Sequence, residues 1–296
     1  MDEHASYGIA PPDHRLPDGT QLGTVHLQIA DLPRSIAYYT DVIGLRVLEQ
    51  HGDRASLGAH DDDRTLIVLH EFPGARPVPR RGRLGLFHVA ILLPDRASLG
   101  RFLTHLAERN EHPGLSDHFV SEALYLTDPD GLGLEIYADR PREQWRSRDR
   151  QLAMGTEPLD VRAVLAAADG MPWTGAPAGT TIGHVHLHVG DLAQASGFYH
   201  DMLGMDKTVW EYPGALFLGA GGYHHHLGTN TWAHGADSAH HDEARLLEWT
   251  IDVPSAKDVH AVAASAAKHA VAVVNDGDAI VLQDPWGSQL RLSHRS

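Results

Sequence analysis

Histidine is the residue type in this sequence with the most chemistry to offer. The chain contains 23 histidines, several of them in strand-like segments such as GHVHLHV at 183–189 and GGYHHH at 221–226. Imidazole is the commonest metal-binding side chain, and it exchanges protons near neutral pH. The chain has no cysteine, which excludes disulfides, a thiolate nucleophile and a zinc–thiolate site. The sequence therefore directs attention to histidine and carboxylate chemistry.

The composition is that of a globular protein and argues against several classes of partner. The 296 residues, 42% hydrophobic and 21% charged, are enough for two ordinary domains. A net charge of −15 argues against nucleic acid, because binding to a phosphate backbone needs clustered Lys and Arg. No stretch approaches the ~18 uninterrupted apolar residues of a membrane span. The polar, acidic N-terminus is unlike a signal or transit peptide, so we expect a cytoplasmic location.

The sequence repeats itself. The segment IADLPRSIAYYTDVIGL at 29–45 returns as VGDLAQASGFYHDMLGM at 189–205. The positions that are identical between the two copies include Asp31/Asp191, Leu32/Leu192, Tyr39/Tyr199, Asp41/Asp201 and Gly44/Gly204. Later in each half, the turn DPDG at Asp128 is answered by DPWG at Asp284. The two halves are therefore related, and each contains two similar units.

Each unit has the same predicted order of elements. An alternating strand opens it, an amphipathic helix follows, and short strands separated by Gly, Asp and Pro turns complete a βαβββ pattern. In the first unit, Asp31 and Pro33 mark the helix start and Gly44 marks its end. The four units lie at 20–71, 84–138, 180–234 and 245–294. We expect an α+β fold with an N-terminal tail at 1–19, an N-terminal half at 20–138, a linker at 139–179 and a C-terminal half at 180–296.

Four βαβββ modules with these marks resemble the vicinal oxygen chelate superfamily. Within it, the chain resembles the bacterial catechol 2,3-dioxygenases of the type I extradiol class. The stretches that carry the resemblance are SEALYLTDPDGLGLEIYADRP (121–141), IGHVHLHVGDL (182–192) and AGGYHHHLGTNTW (220–232). The resemblance implies that the modules form two open-barrel domains.

The resemblance also implies a metal site. In this family, paired modules curl around one metal ion, held by a His from the first strand of each module and a Glu from the last strand of one. The first-strand positions of this chain hold Thr24, His88, His184 and Glu248. The last-strand positions that could carry the carboxylate hold Glu135 and Arg291. Modules two and three therefore supply the implied ligands, His88, Glu135 and His184, which suit Fe(II), with Mn(II) as an alternative.

This site departs from the better-known arrangement in the class, in which the metal lies between modules three and four. We therefore expect module two to pair with module three across the linker. One cavity would then hold the metal, and the other would be vestigial because it has lost the ligands. His186 and His188 share the face of His184 by strand alternation, and we expect them to line the cavity or fill the barrel. His26 is equivalent to His186 and is expected to be structural. Taken alone, a strand histidine such as His88 is more often a hydrogen-bonded core or surface residue than a metal ligand.

Further roles are implied for residues around the substrate. The family has a paired His-His on a strand of this module, and its acid–base histidine best matches His226, with His225 behind it. A tyrosine placed like Tyr125 hydrogen-bonds a catecholate oxygen, and a polar residue placed like His118 lines the oxygen side. Each has a plainer interpretation as a surface cluster, a core tyrosine or a solvated loop residue.

These features predict an extradiol (meta) ring-cleaving dioxygenase that converts catechol or a substituted catechol with Fe(II) and O2. The product would be a semialdehyde of the 2-hydroxymuconic type, and the partners a small aromatic diol and O2, in a chain that could form a homo-oligomer. Two alternatives stay open. One is a glyoxalase- or epimerase-like isomerase or lyase on the same fold, which oxygen uptake would separate. The other is a non-enzymatic binding module, which metal analysis would separate.

Overall fold

Four βαβββ modules, as predicted, make up the chain in the computed structural model, which describes residues 7–295. Module one consists of β1 (Gln21–Ile29), α1 (Leu32–Asp41), β2 (Arg46–His51), β3 (Arg54–Gly58) and β4 (Thr65–Glu71). Module two consists of β5 (Gly85–Leu92), α2 (Arg96–Glu108), β6 (Gly114–Asp117), β7 (Ser121–Thr127) and β8 (Gly133–Asp139).

The segment between the two halves is folded. It contains a 3₁₀ turn and three further elements, which are β9 (Ser147–Arg148), β10 (Gln151–Leu152) and α3 (Val161–Ala167). Helix α3 packs against α2. The approach is close because a Cβ at Gly100 of α2 would lie 2.3 Å from the Val164 carbonyl oxygen. The expected linker is therefore a structural part of the protein, with elements of its own.

Modules three and four complete the chain. Module three consists of β11 (Thr181–His188), α4 (Leu192–Ala195) with its π-helical continuation (Ser196–Met202), β12 (Asp206–Val209), β13 (Ala215–Gly219) and β14 (Leu227–Asn230). Module four consists of β15 (Arg245–Val253), α5 (Ala256–Lys268), β16 (Val274–Asp276), β17 (Ala279–Gln283) and β18 (Gln289–His294). None of the helices described between residues 7 and 295 has the length and hydrophobicity to span a membrane.

The modules combine into two eight-stranded sheets. Modules two and three form the central sheet, in the order β12-β13-β14-β11-β5-β8-β7-β6, and modules one and four form the terminal sheet, in the order β16-β17-β18-β15-β1-β4-β3-β2. In each sheet the first strands of the two modules pair antiparallel, β5 with β11 and β1 with β15. The α+β fold and the expected pairing of modules two and three are confirmed. Each sheet draws one module from either side of 139–179, so the two sequence halves are not the two sheets.

The repeated sequence pattern sets the bounds of the helices. The N-cap residues of α1, α2 and α4 are Asp31, Asp95 and Asp191. Each carboxylate accepts a hydrogen bond from the backbone N–H of the third residue after it, which satisfies a donor that the first turn leaves unpaired. Gly44 and Gly204, with φ of 85° and 92°, follow the helices of modules one and three, a conformation that glycine adopts without strain.

The repeated tyrosine and aspartate join modules that lie in different sheets. Tyr39 on α1 donates to Asp128 in the DPDG turn of module two at 3.3 Å. Tyr199 donates to Asp284 in the DPWG turn of module four at 2.7 Å. Each aspartate also accepts backbone N–H groups of its own turn, and burial raises the pKa of Asp128 to about 6. The residues that the repeat shares therefore tie the two sheets together.

Candidate metal centre

Three neighbouring strands of the central sheet carry His88, Glu135 and His184. Strand β5 lies between β11 and β8, and its Ala90 is in register with His184 on one side and with Glu135 on the other. His88 lies two residues before Ala90 and therefore on the same face of the sheet. Because Ala90 is small and fully buried, the longer side chains around it converge.

The candidate ligand atoms of this triad lie close together. Glu135 Oε2 is 2.9 Å from His88 Nε2 and 3.0 Å from His184 Nε2, and the two Nε2 atoms are 3.3 Å apart. Neighbouring positions of an octahedral ion with bonds of about 2.1 Å are separated by about 3.0 Å. The triad can therefore hold a divalent metal ion by one face.

Burial and the contacts within the triad together set its protonation. Burial lowers the pKa of both His88 and His184, against the opposing attraction of Glu135. Both imidazoles are therefore neutral, which is the form that ligates metals. Burial alone would raise the pKa of Glu135, but the two imidazoles beside it outweigh that effect and hold its pKa well below the ordinary value. The triad is thus a carboxylate with two neutral nitrogen ligands.

A cavity of about 250 Å³ opens onto the triad. Its apolar wall is formed by Phe87, Met154, Tyr212, Phe217 and Trp232. No lysine or arginine occurs among the described residues that line it. A flat, uncharged aromatic molecule matches this wall better than an anion does.

His118 and Tyr125, both predicted from the sequence, form a pair in the cavity wall. His118 Nδ1–H donates to the Gly155 carbonyl oxygen at 2.6 Å, and its Nε2 accepts the Tyr125 hydroxyl proton at 2.7 Å. Burial, reinforced by nearby Glu135, raises the pKa of Tyr125 well above its ordinary value. Tyr125 therefore presents a neutral, fixed hydroxyl to the cavity.

The histidine run at 224–226 lies in a loop, whereas the sequence suggested a strand. Gly221 and Gly222 have φ of 58° and 63°, which glycine tolerates, and they turn the chain after β13. A Cβ at Gly221 would lie 2.2 Å from the Asp18 carbonyl oxygen. Strand β14 begins only at Leu227, so strand alternation does not decide which way these histidines face.

His225 faces the triad, and His226 does not. The His225 ring lines the cavity, with its centroid 4.1 Å from that of His184, and burial lowers its pKa well below the ordinary value. His226 lines a separate cavity beside the N-terminal segment, and its Nδ1 accepts the Ala220 N–H at 3.2 Å. We expected His226 at the oxygen side with His225 behind it; the structure places His225, and not His226, at this cavity. The acid–base role of either residue stays a prediction.

The other histidines of β11 occupy the places expected of them. His186 lines the cavity, and Asn230 connects it to His188. His188 Nδ1–H donates to Asn230 Oδ1 at 2.7 Å, and Asn230 Nδ2–H donates to His186 Nε2 at 2.9 Å. In the terminal sheet, His26 Nδ1 lies 2.9 Å from His70 Nε2. These contacts account for His26, His186 and His188 without a metal.

Part of the cavity wall was not predicted from the sequence. Met154, Gly155 and Thr156 come from the segment interpreted as a linker. They lie just after β10, where no hydrophobic period marks them. The aromatic residues Phe217 and Trp232 were also missed, although Trp232 stands in one of the stretches that carry the family resemblance. Its exposure of 50% suits a residue at the cavity mouth.

Comparisons with known proteins agree with this architecture. A family model described as Glyoxalase/Bleomycin resistance protein/Dioxygenase superfamily matches residues 21–136 and 181–291. A protein named catechol-2,3-dioxygenase from Bacillus subtilis (strain 168) is 45% identical over 257 residues, which cover 86% of this chain and 89% of that protein.

Two solved structures share the fold. A crystal structure from Bacillus subtilis subsp. subtilis str. 168 aligns with a TM-score of 0.65 and 14% identity, covering 95% of this chain and 86% of that chain. Glyoxalase I from Zea mays aligns with a TM-score of 0.54 and 17% identity, covering 93% and 92%. At these low sequence identities, the similarity to the two structures supports the fold alone.

Proposed function

This chain belongs to the Glyoxalase/Bleomycin resistance protein/Dioxygenase superfamily, and from that premise we propose that it is an extradiol dioxygenase. It would open the ring of catechol or a substituted catechol beside the hydroxyl pair, with O2, to a semialdehyde of the 2-hydroxymuconic type. The observation that carries the proposal is the buried His–Glu–His triad on an uncharged aromatic cavity. Similarity to a catechol-2,3-dioxygenase supports it.

Fe(II) is the metal we assign to the triad. Two neutral imidazoles and one carboxylate on a single face are the ligand set of non-haem Fe(II) oxygenases. His88, Glu135 and His184 would hold the ion and leave its other side toward the cavity. When bound, Fe(II) supplies the electron transfer between diol and dioxygen, which no side chain of the cavity can perform. Mn(II) accepts the same ligands, so the metal content of the active protein decides between the two.

The cavity favours a neutral diol with an apolar substituent. Phe87, Phe217 and Trp232 offer aromatic faces and edges to a ring. A carboxylate on the substrate would lose its hydration here without meeting a cationic side chain, which is unfavourable. We therefore expect alkyl- or aryl-substituted catechols to be turned over with a higher kcat/KM than carboxylated ones.

Two groups of this cavity would handle the hydroxyl protons. His225 Nε2 would accept the proton that a diol hydroxyl gives up and later return it, which is the general acid–base role. The Tyr125 oxygen, whose proton is donated to His118, would accept a hydrogen bond from a diol hydroxyl and so orient the ring. The apolar wall would exclude stray water during ring opening.

Oxygen consumption tests the proposal most simply. The chain is purified anaerobically, loaded with Fe(II) and given a panel of catechols in an oxygen electrode, with absorbance recorded in parallel. We expect about one O2 consumed per diol and the appearance of a yellow ring-opened product. Conversion of a substrate by the metal-loaded chain without oxygen uptake would instead indicate the isomerase or lyase alternative.

Substitution of the two neighbouring histidines tests which one works in the cavity. His225→Asn should lower kcat by about 100-fold or more, the usual contribution of a general acid–base group, while iron stays bound. His226→Asn keeps an acceptor for the Ala220 N–H and should lower kcat far less. The opposite ranking of the two variants would restore the assignment first made from the sequence.

A further inference from the structure

A chain of hydrogen bonds leads from His225 away from the cavity and ends on a carboxylate. His225 Nδ1 lies 2.7 Å from His224 Nδ1, and His224 Nε2 lies 2.8 Å from Asp139 Oδ1. The His224 side chain is fully buried, and the Asp139 side chain is 26% exposed. Asp139 ends β8, the strand that carries Glu135. This chain of hydrogen bonds therefore connects the cavity to a partly exposed carboxylate.

The acceptor at the far end fixes where the protons lie. A carboxylate only accepts hydrogen bonds, so the proton of a neutral His224 lies on Nε2. Its Nδ1 then carries a lone pair and accepts the Nδ1–H of His225. A neutral His225 consequently has its own lone pair on Nε2. Within residues 7–295 that Nε2 has no hydrogen-bond partner, and the ring lines the cavity.

We propose that Asp139 and His224 are positioning residues that hold His225 in the tautomer able to accept a proton from the diol. In that step a diol O–H bond breaks, an N–H bond forms at His225 Nε2, and the diol oxygen keeps the electron pair of the broken bond. His225 is then positively charged, and its hydrogen bond to His224 connects it to the Asp139 carboxylate. No electron is transferred, so the step needs no other reactant. The inference rests on the proposed function for its purpose but not for its geometry.

A purely structural role is the competing explanation. His224 also packs against Tyr223 and Trp145, with ring centroids 4.1 and 5.3 Å away, so the bond to Asp139 could simply anchor the loop. The two explanations differ in one observable. Only the positioning role requires that the tautomer of His225 depend on His224 and Asp139.

Nitrogen-15 NMR measures that tautomer directly. The full chain, with ¹⁵N-labelled histidine, is recorded both metal-free and loaded with diamagnetic Zn(II), and the His225 signals are assigned as those lost in His225→Asn. Long-range proton–nitrogen correlations then distinguish the protonated ring nitrogen from the bare one. We expect Nδ1 to be protonated and Nε2 bare in the unchanged chain. This measurement is independent of whether the protein cleaves any diol.

Two substitutions at His224 separate shape from hydrogen bonding. His224→Phe keeps a ring but removes the acceptor, so the proton of His225 should redistribute toward Nε2 and kcat should fall about 100-fold. His224→Asn places an amide oxygen near the former Nδ1, so it should retain the tautomer and much of kcat. KM and iron content should change by less than about threefold in both, because neither variant touches the triad or the substrate wall.

Asp139→Ala provides a second route if His224→Phe does not fold. Water can replace the lost acceptor at this partly exposed position, so His224 becomes free to adopt either tautomer. We then expect a mixture of tautomers at His225 and a fall in kcat of about tenfold, the lower end for residues that orient a functional group.

Arg142→Gln is the matched control for disturbance of the loop. Arg142 donates to the Gly221 carbonyl oxygen at 3.1 Å but has no bond to His224 or His225. Its loss should leave the His225 tautomer and kcat nearly unchanged. The proposal is overturned if Nε2 is the protonated nitrogen in the unchanged chain, or if His224→Phe and Asp139→Ala both leave the tautomer as it was. It is equally overturned if Arg142→Gln lowers kcat as much as His224→Phe does.

Discussion

The central and terminal sheets follow the same plan, yet within residues 7–295 only the central sheet carries a group of histidine and carboxylate side chains that could hold a metal ion. At the positions equivalent to the triad, the terminal sheet holds Thr24, Glu248 and Arg291. There, Arg291 Nε donates to Glu248 Oε1 at 2.8 Å, and Arg291 Nη2 donates to Asp276 at 2.8 Å. The backbone brings side chains together in both sheets. The side-chain types at these three positions then decide whether the sheet holds an ion pair there or can hold a metal ion.

The space beside these positions also differs between the two sheets. In the central sheet, Gly228 pairs with His186, and a Cβ at Gly228 would lie 2.8 Å from the His186 Cγ atom. In the terminal sheet, Val68 stands at the equivalent place beside His26. Gly228 therefore leaves space for the His186 ring, which a larger residue at this position would occupy. A metal site that admits a substrate therefore needs space beside the metal as well as ligands.

Removal of a ligand should have the largest effect. His184→Ala should reduce iron content to background and ring-cleavage turnover by more than about 100-fold, since even residues that only orient a ligand contribute 10–100-fold. Thr24→Ala is the matched change in the terminal sheet, where it removes one hydrogen bond to the Thr65 carbonyl oxygen. Elemental analysis and oxygen uptake should show no difference between Thr24→Ala and the unchanged chain. A similar loss in both variants would refute the distinction between the sheets.

A change of space without a change of ligands should have a smaller effect. Gly228→Val copies Val68 into the central sheet and should push the His186 ring into the cavity, with about 1–3 kcal/mol of lost stability. We expect kcat/KM for catechol to fall about tenfold, chiefly through KM, because the ligands remain in place. Val68→Gly should lower stability alone. An unchanged KM in Gly228→Val would show that the room beside His186 is not used by substrate.

Disruption of the ion pair should affect stability alone. Arg291→Leu leaves Glu248, whose side chain is 14% exposed, without its main partner and should lower the free energy of unfolding by about 1–3 kcal/mol. Adding Glu248→Leu should recover much of that loss, because neither charge then stays buried. Denaturation by urea measures both changes. Altered iron content in Arg291→Leu would mean that the terminal sheet does take part in metal binding.

The smallest expected effect concerns pH. Burial, with help from nearby His26, lowers the pKa of His70 from 6.5 to about 4. Between these values the unfolded chain binds more protons at this residue than the folded chain, so its contribution to stability falls as pH drops from 6.5 toward 4. His70→Asn copies Asn230 of the central sheet and removes the titration. Urea denaturation at several pH values should then show a shallower loss of stability below pH 6.5, while an unchanged slope would contradict the assignment.

The fold could be predicted because local signals repeat. The aspartate caps, the closing glycines and the alternating strands recur in related positions, and each has a local physical cause. The pairing of modules two and three also followed from the sequence, since only they hold a complete set of candidate ligands. The orientation of His225 and His226 could not be predicted, because the resemblance places the paired histidines on a strand, whereas in this structure they follow the turn at Gly221 and Gly222 and precede β14. The contribution of Met154 and its neighbours depends on how a non-periodic segment packs, which no local pattern records.

The location of the bound metal tests the central claim most directly. Crystals of the chain purified anaerobically with Fe(II) are measured at the iron absorption edge, so that an anomalous difference map marks iron alone. We predict one peak per chain, bonded to His88 Nε2, His184 Nε2 and a Glu135 oxygen at about 2.0–2.2 Å, and no peak between Thr24, Glu248 and Arg291. An active, iron-containing protein whose anomalous peak lies elsewhere would contradict the account.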